Sequence, residues 1–243
     1  MILLFYYIVM NHRQIIFIII FLIFVNLSLF AQDMRIFPNI VGLREFTVPE
    51  VSSRVWYQLN YSRENYYIDN NGYVSISNEN RPRIIRFQIE NGILIGNDRG
   101  EWGGELIFRN NSEEYTIINE NIRGIFEYRN ELFVIAGLSH LGISYGKIFK
   151  LENINNKWES RLVVEFNSSP EVYIIFNNIS YIVTYNGLIT FDGNNIQQIL
   201  NRQFWSSLYP QSIFVNEQII AIGMRGCIVI INKSNNVIRS FMR

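Results

Sequence analysis

The residues best placed for chemistry lie together in one short polar stretch, Asn97–Glu105. It carries the carboxylates Asp98 and Glu101, and enzymes that cleave glycosidic bonds work with a pair of such groups. Arg99 and Trp102 lie between and beside them, and Arg and Trp are the side chains that most often anchor a bound protein. The stretch therefore predicts a binding site, and it leaves hydrolysis at Asp98 or Glu101 open as an alternative.

A second group of candidates follows in Leu138–Tyr145, which contains His140 and Tyr145. If residues 1–31 are removed, His140 is the one histidine left for a Ser-His-Asp triad. No nucleophile elbow surrounds it, however, so we expect a solvated loop histidine rather than a catalytic base. No catalytic residue is therefore predicted with a defined role.

Cofactor and metal chemistry has no motif in this chain. The sequence contains no Walker loop, no Gly-x-Gly-x-x-Gly after a strand, and no Cys or His pair at the spacing of a metal site. We therefore expect neither a cofactor nor a bound metal.

Aromatic and basic residues also recur near the C-terminus, in the linker Arg202–Tyr209 and in a later turn. Trp205 and Tyr209 lie in the linker, and Arg225 lies in the turn. Side chains of these types are enriched at protein contacts. We expect them to share one face with the stretch around Trp102 and to hold a protein or a glycan.

The elements that must position these residues are short strands in a repeated unit. Runs rich in Ile, Val, Phe and Tyr are separated by turns with Asn or Gly, which tolerate the positive φ of tight hairpins. Four copies contain a strand-turn-strand core with the turn near Asn91, Asn130, Asn178 and Asn216. A repeat of about 40 to 50 residues that forms four antiparallel strands is typical of a β-propeller blade.

The predicted strands fill four complete units, each read as four strands. They are 84–89, 92–96, 105–109 and 114–118; 123–128, 131–136, 147–152 and 159–166; 171–176, 179–184, 188–192 and 195–200; and 211–215, 218–223, 227–232 and 237–242. The fold class predicted is all-β, a propeller of about five blades with a degenerate first blade.

The degenerate first unit spans residues 39–80 in this interpretation. Its strands are predicted at Val55–Asn60, Asn65–Asp69 and Tyr73–Ser77, and its fourth strand is not visible. Closed propellers often complete one blade with a strand from the other terminus. We therefore expect residues 36–46 to pair near the C-terminus.

In these strand and turn patterns the chain resembles β-propeller repeat proteins, over residues 36–243. The phrase Tyr185–Asp192 is similar to the short repeats of bacterial sensor-type propellers. The Ser-x-Asp-x-Gly-x-Thr-Trp box of sialidase-like propellers is absent, as are the marks of WD and kelch repeats. The resemblance implies a fold and transfers no functional residue.

The N-terminus reads as a secretory signal in residues 1–31, with a basic head at 10–14, an apolar run at 15–30 and Ala31 before the cut. Translation starting at Met10 would give the usual charged head. An uncleaved anchor is the alternative, although a run of about 16 apolar residues is short for a membrane span. We expect a propeller domain at 32–243 that is exported, to the periplasm, the cell surface or the medium.

Charge and cysteine content narrow the function further. The chain has 21 basic and 21 acidic residues, so no net charge favours nucleic acid as a partner. Its one cysteine, Cys227, lies in an apolar strand and is expected to be buried and inert. The leading hypothesis is an exported, non-enzymatic protein that binds a protein or carbohydrate. The alternative is a secreted glycan-cleaving enzyme.

Overall fold

Short antiparallel strands make up most of the structure, a computed structural model that describes residues 40, 42–80 and 82–243. In the described residues the strands form five antiparallel sheets. The strands are β1 (Arg44–Phe46), β2 (Asn65–Ile68), β3 (Val74–Ser77), β4 (Ile84–Ile89), β5 (Gly92–Asp98), β6 (Gly104–Arg109), β7 (Glu114–Ile118), β8 (Ile122–Tyr128), β9 (Glu131–His140), β10 (Ile143–Ile154), β11 (Lys157–Phe166), β12 (Pro170–Phe176), β13 (Ile179–Thr184), β14 (Gly187–Phe191), β15 (Ile196–Asn201), β16 (Ser212–Val215), β17 (Ile219–Gly223), β18 (Ile228–Asn232) and β19 (Ile238–Met242). The all-β prediction is confirmed.

The sheets follow one another along the chain, and we number them I to V. Sheet I holds β2 and β3, sheet II β4–β7, sheet III β8–β11, sheet IV β12–β15, and sheet V β16–β19 with β1 added at its edge. Within sheets II to V, consecutive strands pair with their neighbours, as predicted for each repeat. The predicted strands of these four units are confirmed with small shifts at their ends, except that β9 and β10 of sheet III are longer than predicted.

The Asn-bearing hairpin turns explain why these pairs form so regularly. Arg129 and Asn130 have φ of 52° and 61°, and Asn177 and Asn178 have φ of 47° and 59°. Two successive residues in the left-handed region match the twist of the flanking strands. Asn accepts this backbone at lower cost than most side chains, so these turns fix the register of β8 with β9 and of β12 with β13.

The first strands of sheets II to V line one common cavity of about 460 Å³. Its wall includes Ile85 of β4, Ile122 of β8, Val172 of β12 and Ile213 of β16. These sheets therefore converge on a shared axis with their first strands, and their later strands lie further out. The turns between second and third strands, together with the connections from one sheet to the next, lie at one end of this axis, which we call the connection face.

The outer edge of sheet V is completed from the other end of the sequence. Strand β1 pairs antiparallel with β19, with Arg44 opposite Met242 and Phe46 opposite Ser240. Glu45 and Arg239 form an ion pair across this junction, with Oε2 and Nη2 2.7 Å apart. The expected pairing of residues 36–46 near the C-terminus is confirmed for Arg44–Phe46, while residues 36–39 and 41 lie outside the described residues.

The first unit differs from the prediction. Residues 54–60 form a helix, α1 (Arg54–Asn60), and not the strand expected at Val55–Asn60. Ser53 caps it by accepting a hydrogen bond from the Trp56 amide at 3.2 Å, and the two buried side chains, Trp56 and Leu59, are three positions apart. That spacing is helical, but aromatic and β-branched neighbours gave the segment the composition of a strand. The strands predicted at 65–69 and 73–77 are confirmed as β2 and β3.

A second difference lies in sheet III, where β9 and β10 are 10 and 12 residues long. They extend beyond the neighbouring strands and enclose a turn at Leu141 and Gly142, both with positive φ. His140 therefore ends a strand and Tyr145 lies within one, so the expected loop at Leu138–Tyr145 is wrong.

The predicted leader, residues 1–31, lies outside the described residues. In the described part of the chain the one α-helix, α1, has seven residues. No helix there has the length and apolar character needed to cross a membrane.

The core lies in layers between consecutive sheets. Leu94 and Val134 pack between sheets II and III, and Phe133 and Phe191 between sheets III and IV. The largest layer joins sheets IV and V to α1 and includes Trp205, Ile220 and Cys227. Apolar faces of neighbouring sheets thus bury each other, which no sheet could do alone.

We expect the thiol of Cys227 to be unreactive in the folded protein. Its side chain is fully buried, and burial raises the pKa of the thiol to about 12, so almost no nucleophilic thiolate forms near neutral pH. A bulky maleimide should label the protein only after denaturant is added. A Cys227→Ala protein gives the blank, and rapid labelling without denaturant would contradict the burial.

Candidate functional site

A polar recess of about 320 Å³ opens at the connection face, above the shared axis. Its wall combines residues from the strands of sheets II, III and IV and from turns and connections. Of the residues predicted from sequence, five line it: Asp98, Glu101, His140, Tyr209 and Arg225. The structure therefore brings together side chains that are up to 127 positions apart in sequence.

The centre of the recess is a charged triplet of Asp98, Arg123 and Glu171. Arg123 Nη1 lies 2.8 Å from Asp98 Oδ2 and 3.7 Å from Glu171 Oε2. The three side chains are between 5% and 13% exposed. A buried guanidinium that serves two carboxylates holds three sheets together, since Asp98 ends β5, Arg123 lies in β8 and Glu171 in β12.

Two of these charges are presented by breaks in strand pairing. The register of β8 against β9 shifts between Ile122 and Gly124, so Arg123 is the extra residue. The register of β12 against β13 shifts between Pro170 and Val172, so Glu171 is the extra residue there. Such bulges re-aim a side chain, and here both point a charge into the wall of the recess.

The sequence prediction missed these two residues, together with Arg83 and Gln211. All four lie at or just before the start of the first strand in sheets II to V, and all line the recess. A polar residue at this position in four successive repeats was the available signal. It could have been found from the predicted first strands, which start at or next to these residues.

On the Asp98 side of the recess, hydrogen bonds fix the loop that follows β5. Asp98 Oδ1 accepts a hydrogen bond from the Gly100 amide at 3.0 Å. The buried Asn121 accepts from the Arg99 amide at 2.9 Å and donates to the Gly100 carbonyl at 2.8 Å. This fixes the loop that carries Glu101 and Trp102 before any ligand arrives.

The rim next to this loop carries a contact between Glu101 and His140 and the exposed ring of Trp102. Glu101 Oε2 lies 2.7 Å from His140 Nε2, in a geometry outside the range of a hydrogen bond. Trp102 is 82% exposed and follows Glu101 directly. Arg99 points away from the recess and pairs with Glu105 at 3.0 Å.

The opposite side of the recess is formed by Arg225 and Tyr209. The guanidinium carbon of Arg225 lies 4.5 Å from the centroid of the Tyr209 ring, within the range of a cation–π contact. Arg225 also donates from Nη1 to the Asn60 carbonyl at 3.2 Å. Burial raises the pKa of the Tyr209 hydroxyl, so the ring stays neutral under the cation.

Tyr145 lies outside the recess wall, in a separate polar cluster. Its hydroxyl donates to Glu120 Oε2 at 2.8 Å, and Lys147 Nζ donates to Glu120 Oε1 at 2.5 Å. Burial and the hydrogen bond to Glu120 raise the pKa of Tyr145 to about 12. This residue stabilises the start of β10 and is not presented to a ligand in the recess.

Trp205 was expected to border the same recess as Trp102, and this is wrong. It lies in a short 3₁₀ turn, Gln203–Trp205, in the connection between sheets IV and V, but its side chain is fully buried. It packs with Phe204 in an edge-to-face contact, at a centroid distance of 5.1 Å. Trp205 is therefore part of the core, and Trp102 is the exposed tryptophan of this face in the described residues.

Comparisons with known proteins add little to this geometry. No protein-family model and no curated protein sequence matches the chain. One similar solved structure is of a S. cerevisiae Dbp5 variant bound to Nup159, a Gle1 variant, IP6 and ADP, at 9% identity and a TM-score of 0.28. Another is a crystal structure of the N-terminal domain of Nup159, at 9% identity and a TM-score of 0.29.

These matches cover 71% and 70% of this chain. They cover 58% and 57% of the chains in those structures, so this chain spans less than two thirds of their length.

Proposed function

We propose that this chain is an exported, non-enzymatic binding protein with a five-unit β-propeller scaffold, and that its connection face holds a protein or carbohydrate partner. One observation supports this most: a recess rich in charged groups opens at that face beside a fully presented tryptophan. The ring of four complete sheets and the short sheet I supports the propeller assignment. The N-terminal sequence supports export.

The arrangement of the carboxylates also favours binding over hydrolysis. Both oxygens of Asp98 are already engaged, one by the Gly100 amide and the other by Arg123. Glu101 lies against His140. A general acid or a nucleophile needs a carboxylate oxygen that can contact the substrate. The contacts of Asp98 and Glu101 instead stabilise the wall of the recess.

The first test is a change of Trp102 to Ala, which we expect to weaken partner binding about thirtyfold, since losing an anchoring tryptophan typically costs about 2 kcal/mol. The fold should survive because the side chain is 82% exposed. Binding is measured by calorimetry with a partner found on a glycan array or by affinity capture. Tyr73→Ala is the matched control, since Tyr73 is 59% exposed at the hairpin end of sheet I, and an equal loss there would argue against the site.

The alternative function, glycan cleavage, is tested with the same purified protein in a hydrolysis screen. An enzyme that uses these carboxylates should lose turnover in Asp98→Asn or Glu101→Gln. Turnover that persists in both variants would exclude them as the catalytic pair. Turnover that either variant abolishes would replace the binding proposal with the enzymatic one.

A further inference from the structure

The carboxylates around the recess all have a basic partner, but not all of its arginines have an acidic one in the part of the chain that the structure describes. Asp98 and Glu171 share Arg123, and Glu101 contacts His140. Two other arginines, Arg83 and Arg225, also line the recess. Among the described residues, no carboxylate forms an ion pair with either of them. Each unpaired guanidinium is a ready site for an anion.

From this distribution we infer that the recess binds an acidic saccharide, whose carboxylate is held by Arg83 and Arg225. The inference rests on the proposed function, because it names the ligand class of the same binding site. It goes further in assigning the recognised group, and it assigns roles to Arg83 and to the acidic side of the recess.

Arg225 is held ready for such a group. Its guanidinium is stacked on Tyr209 and tied through Nη1 to the Asn60 carbonyl. These contacts restrict the side chain before binding and leave further N–H groups of the planar fork for a ligand. Arg matches the geometry of a carboxylate with two parallel hydrogen bonds, and a side chain that is already ordered loses less entropy on binding.

Arg83 supplies the second positive charge from the connection between sheets I and II. It lies in the recess wall with Asn80, and its own carbonyl accepts a hydrogen bond from the Asp98 amide at 2.9 Å. Its backbone is thus fixed to the end of β5, while its side chain lies among the exposed residues. Arg83 and Arg225 thus both contribute positive charge to the wall of one recess.

The remaining wall favours a sugar over an acidic peptide. An ionised carboxylate has about four acceptor sites, so Asp98, Glu101 and Glu171 can still accept from sugar hydroxyls beside their protein partners. Their negative charge disfavours further carboxylates. Ser139 and Gln211 add polar groups of the kind that bond hydroxyls. The exposed Trp102 ring next to the rim offers a flat face to a sugar ring.

The size of the recess limits the ligand. Its volume of about 320 Å³ is at the lower end of the range for small-molecule sites, roughly 300 to 1,000 Å³. A peptide with several acidic residues would place further negative charge against the three carboxylates. A saccharide with one carboxylate and several hydroxyls can pair its carboxylate with the arginines and its hydroxyls with the acidic and polar side chains of the wall.

The experiment measures binding of the full chain to an aldouronic acid, an oligosaccharide that carries a single uronic carboxylate, by calorimetry at low salt. The same oligosaccharide with that carboxylate methyl-esterified is the probe control. We expect binding of the acidic form to exceed that of the ester by tenfold or more, because hydrogen bonds to charged groups are the strong ones. Added salt should weaken it.

Protein variants locate the contact. Arg225→Gln and Arg83→Gln should each reduce affinity for the acidic form about tenfold or more and leave the ester unaffected. Arg225→Lys should lose part of the affinity, since it keeps the charge without the fork. Arg99→Gln is the matched control because Arg99 is paired with Glu105 outside the recess, and circular dichroism checks the fold of each variant.

Several results would overturn the inference. Equal binding of the acid and its ester would do so, as would a loss of affinity in Arg99→Gln equal to that in Arg225→Gln. Stronger binding of a poly-glutamate peptide would also contradict it, and so would a failure to bind the acidic oligosaccharide and every other acidic saccharide on an array. Binding of a neutral glycan or a protein that depends on Trp102 would overturn the ligand class and leave the proposed function standing. Absence of every partner at this face would remove both.

Discussion

Ile220→Asp is expected to leave the protein unfolded at 25 °C. Ile220 lies in β17 at the centre of the largest core layer, is 2% exposed, and pairs with Val215 on one side and Ile231 on the other. An aspartate there loses the packing of the isoleucine and buries an unpaired charge, whose cost is several kcal/mol. The total stability of a domain is roughly 5 to 15 kcal/mol, so little of the folded state should remain.

The measurement is thermal unfolding by circular dichroism, with size-exclusion chromatography to detect aggregation. Ile179→Asp is the matched control, since it makes the same chemical change at the edge of β13, where Ile179 is 37% exposed. We expect the control to unfold cooperatively with a modest loss. A cooperative transition of Ile220→Asp close to that of the unchanged protein would refute the assignment of this layer as core.

Arg123→Met is expected to destabilise the protein by about 3 to 5 kcal/mol, the usual cost of removing one partner from a buried ion pair. The change removes the guanidinium that Asp98 and Glu171 share and leaves both carboxylates with 11% or less of their side chains exposed. Glu171 makes a further interaction, which reduces the loss on that side.

Urea unfolding at pH 7 measures this loss of stability. Arg99→Met is the control, because the Arg99–Glu105 pair is exposed and such pairs contribute about 0 to 1 kcal/mol. A deficit in Arg123→Met that stays below about 1 kcal/mol would contradict the role assigned to Arg123.

Most of the fold could be predicted because local signals and packing agree in sheets II to V. Strand composition, Asn turns and a repeat length all indicated the same four-stranded unit. The exception is Arg54–Asn60, where composition indicated a strand while the Ser53 cap and the spacing of Trp56 and Leu59 produce a helix. The sequence prediction followed the aromatic and β-branched composition and did not use the capping serine.

The candidate site was predicted only in part, for two physical reasons. Asp98, Glu101, His140, Tyr209 and Arg225 were found because they lie in turns and connections or at strand ends, whose direction follows from the order of strands. Arg123 and Glu171 lie in predicted strands and reach the recess through bulges. A bulge depends on pairing with a neighbouring strand, so the direction of these two side chains did not follow from the strand pattern. Trp205 was misplaced because a connection can fold back into the core, and its sequence does not distinguish that from exposure.

The junction of β1 with β19 also determines how the molecule responds to pulling. Arg44 and Met242 face each other across the two strands, so the chain leaves the junction on the same side from both strands. A force applied between residues 43 and 243 would open the three pairs like a zipper, one hydrogen-bonded pair at a time, and the load would never be shared among them. Sheet V should therefore release β1 under a small force, while tension applied along the strands of the same sheet would meet all of their bonds together.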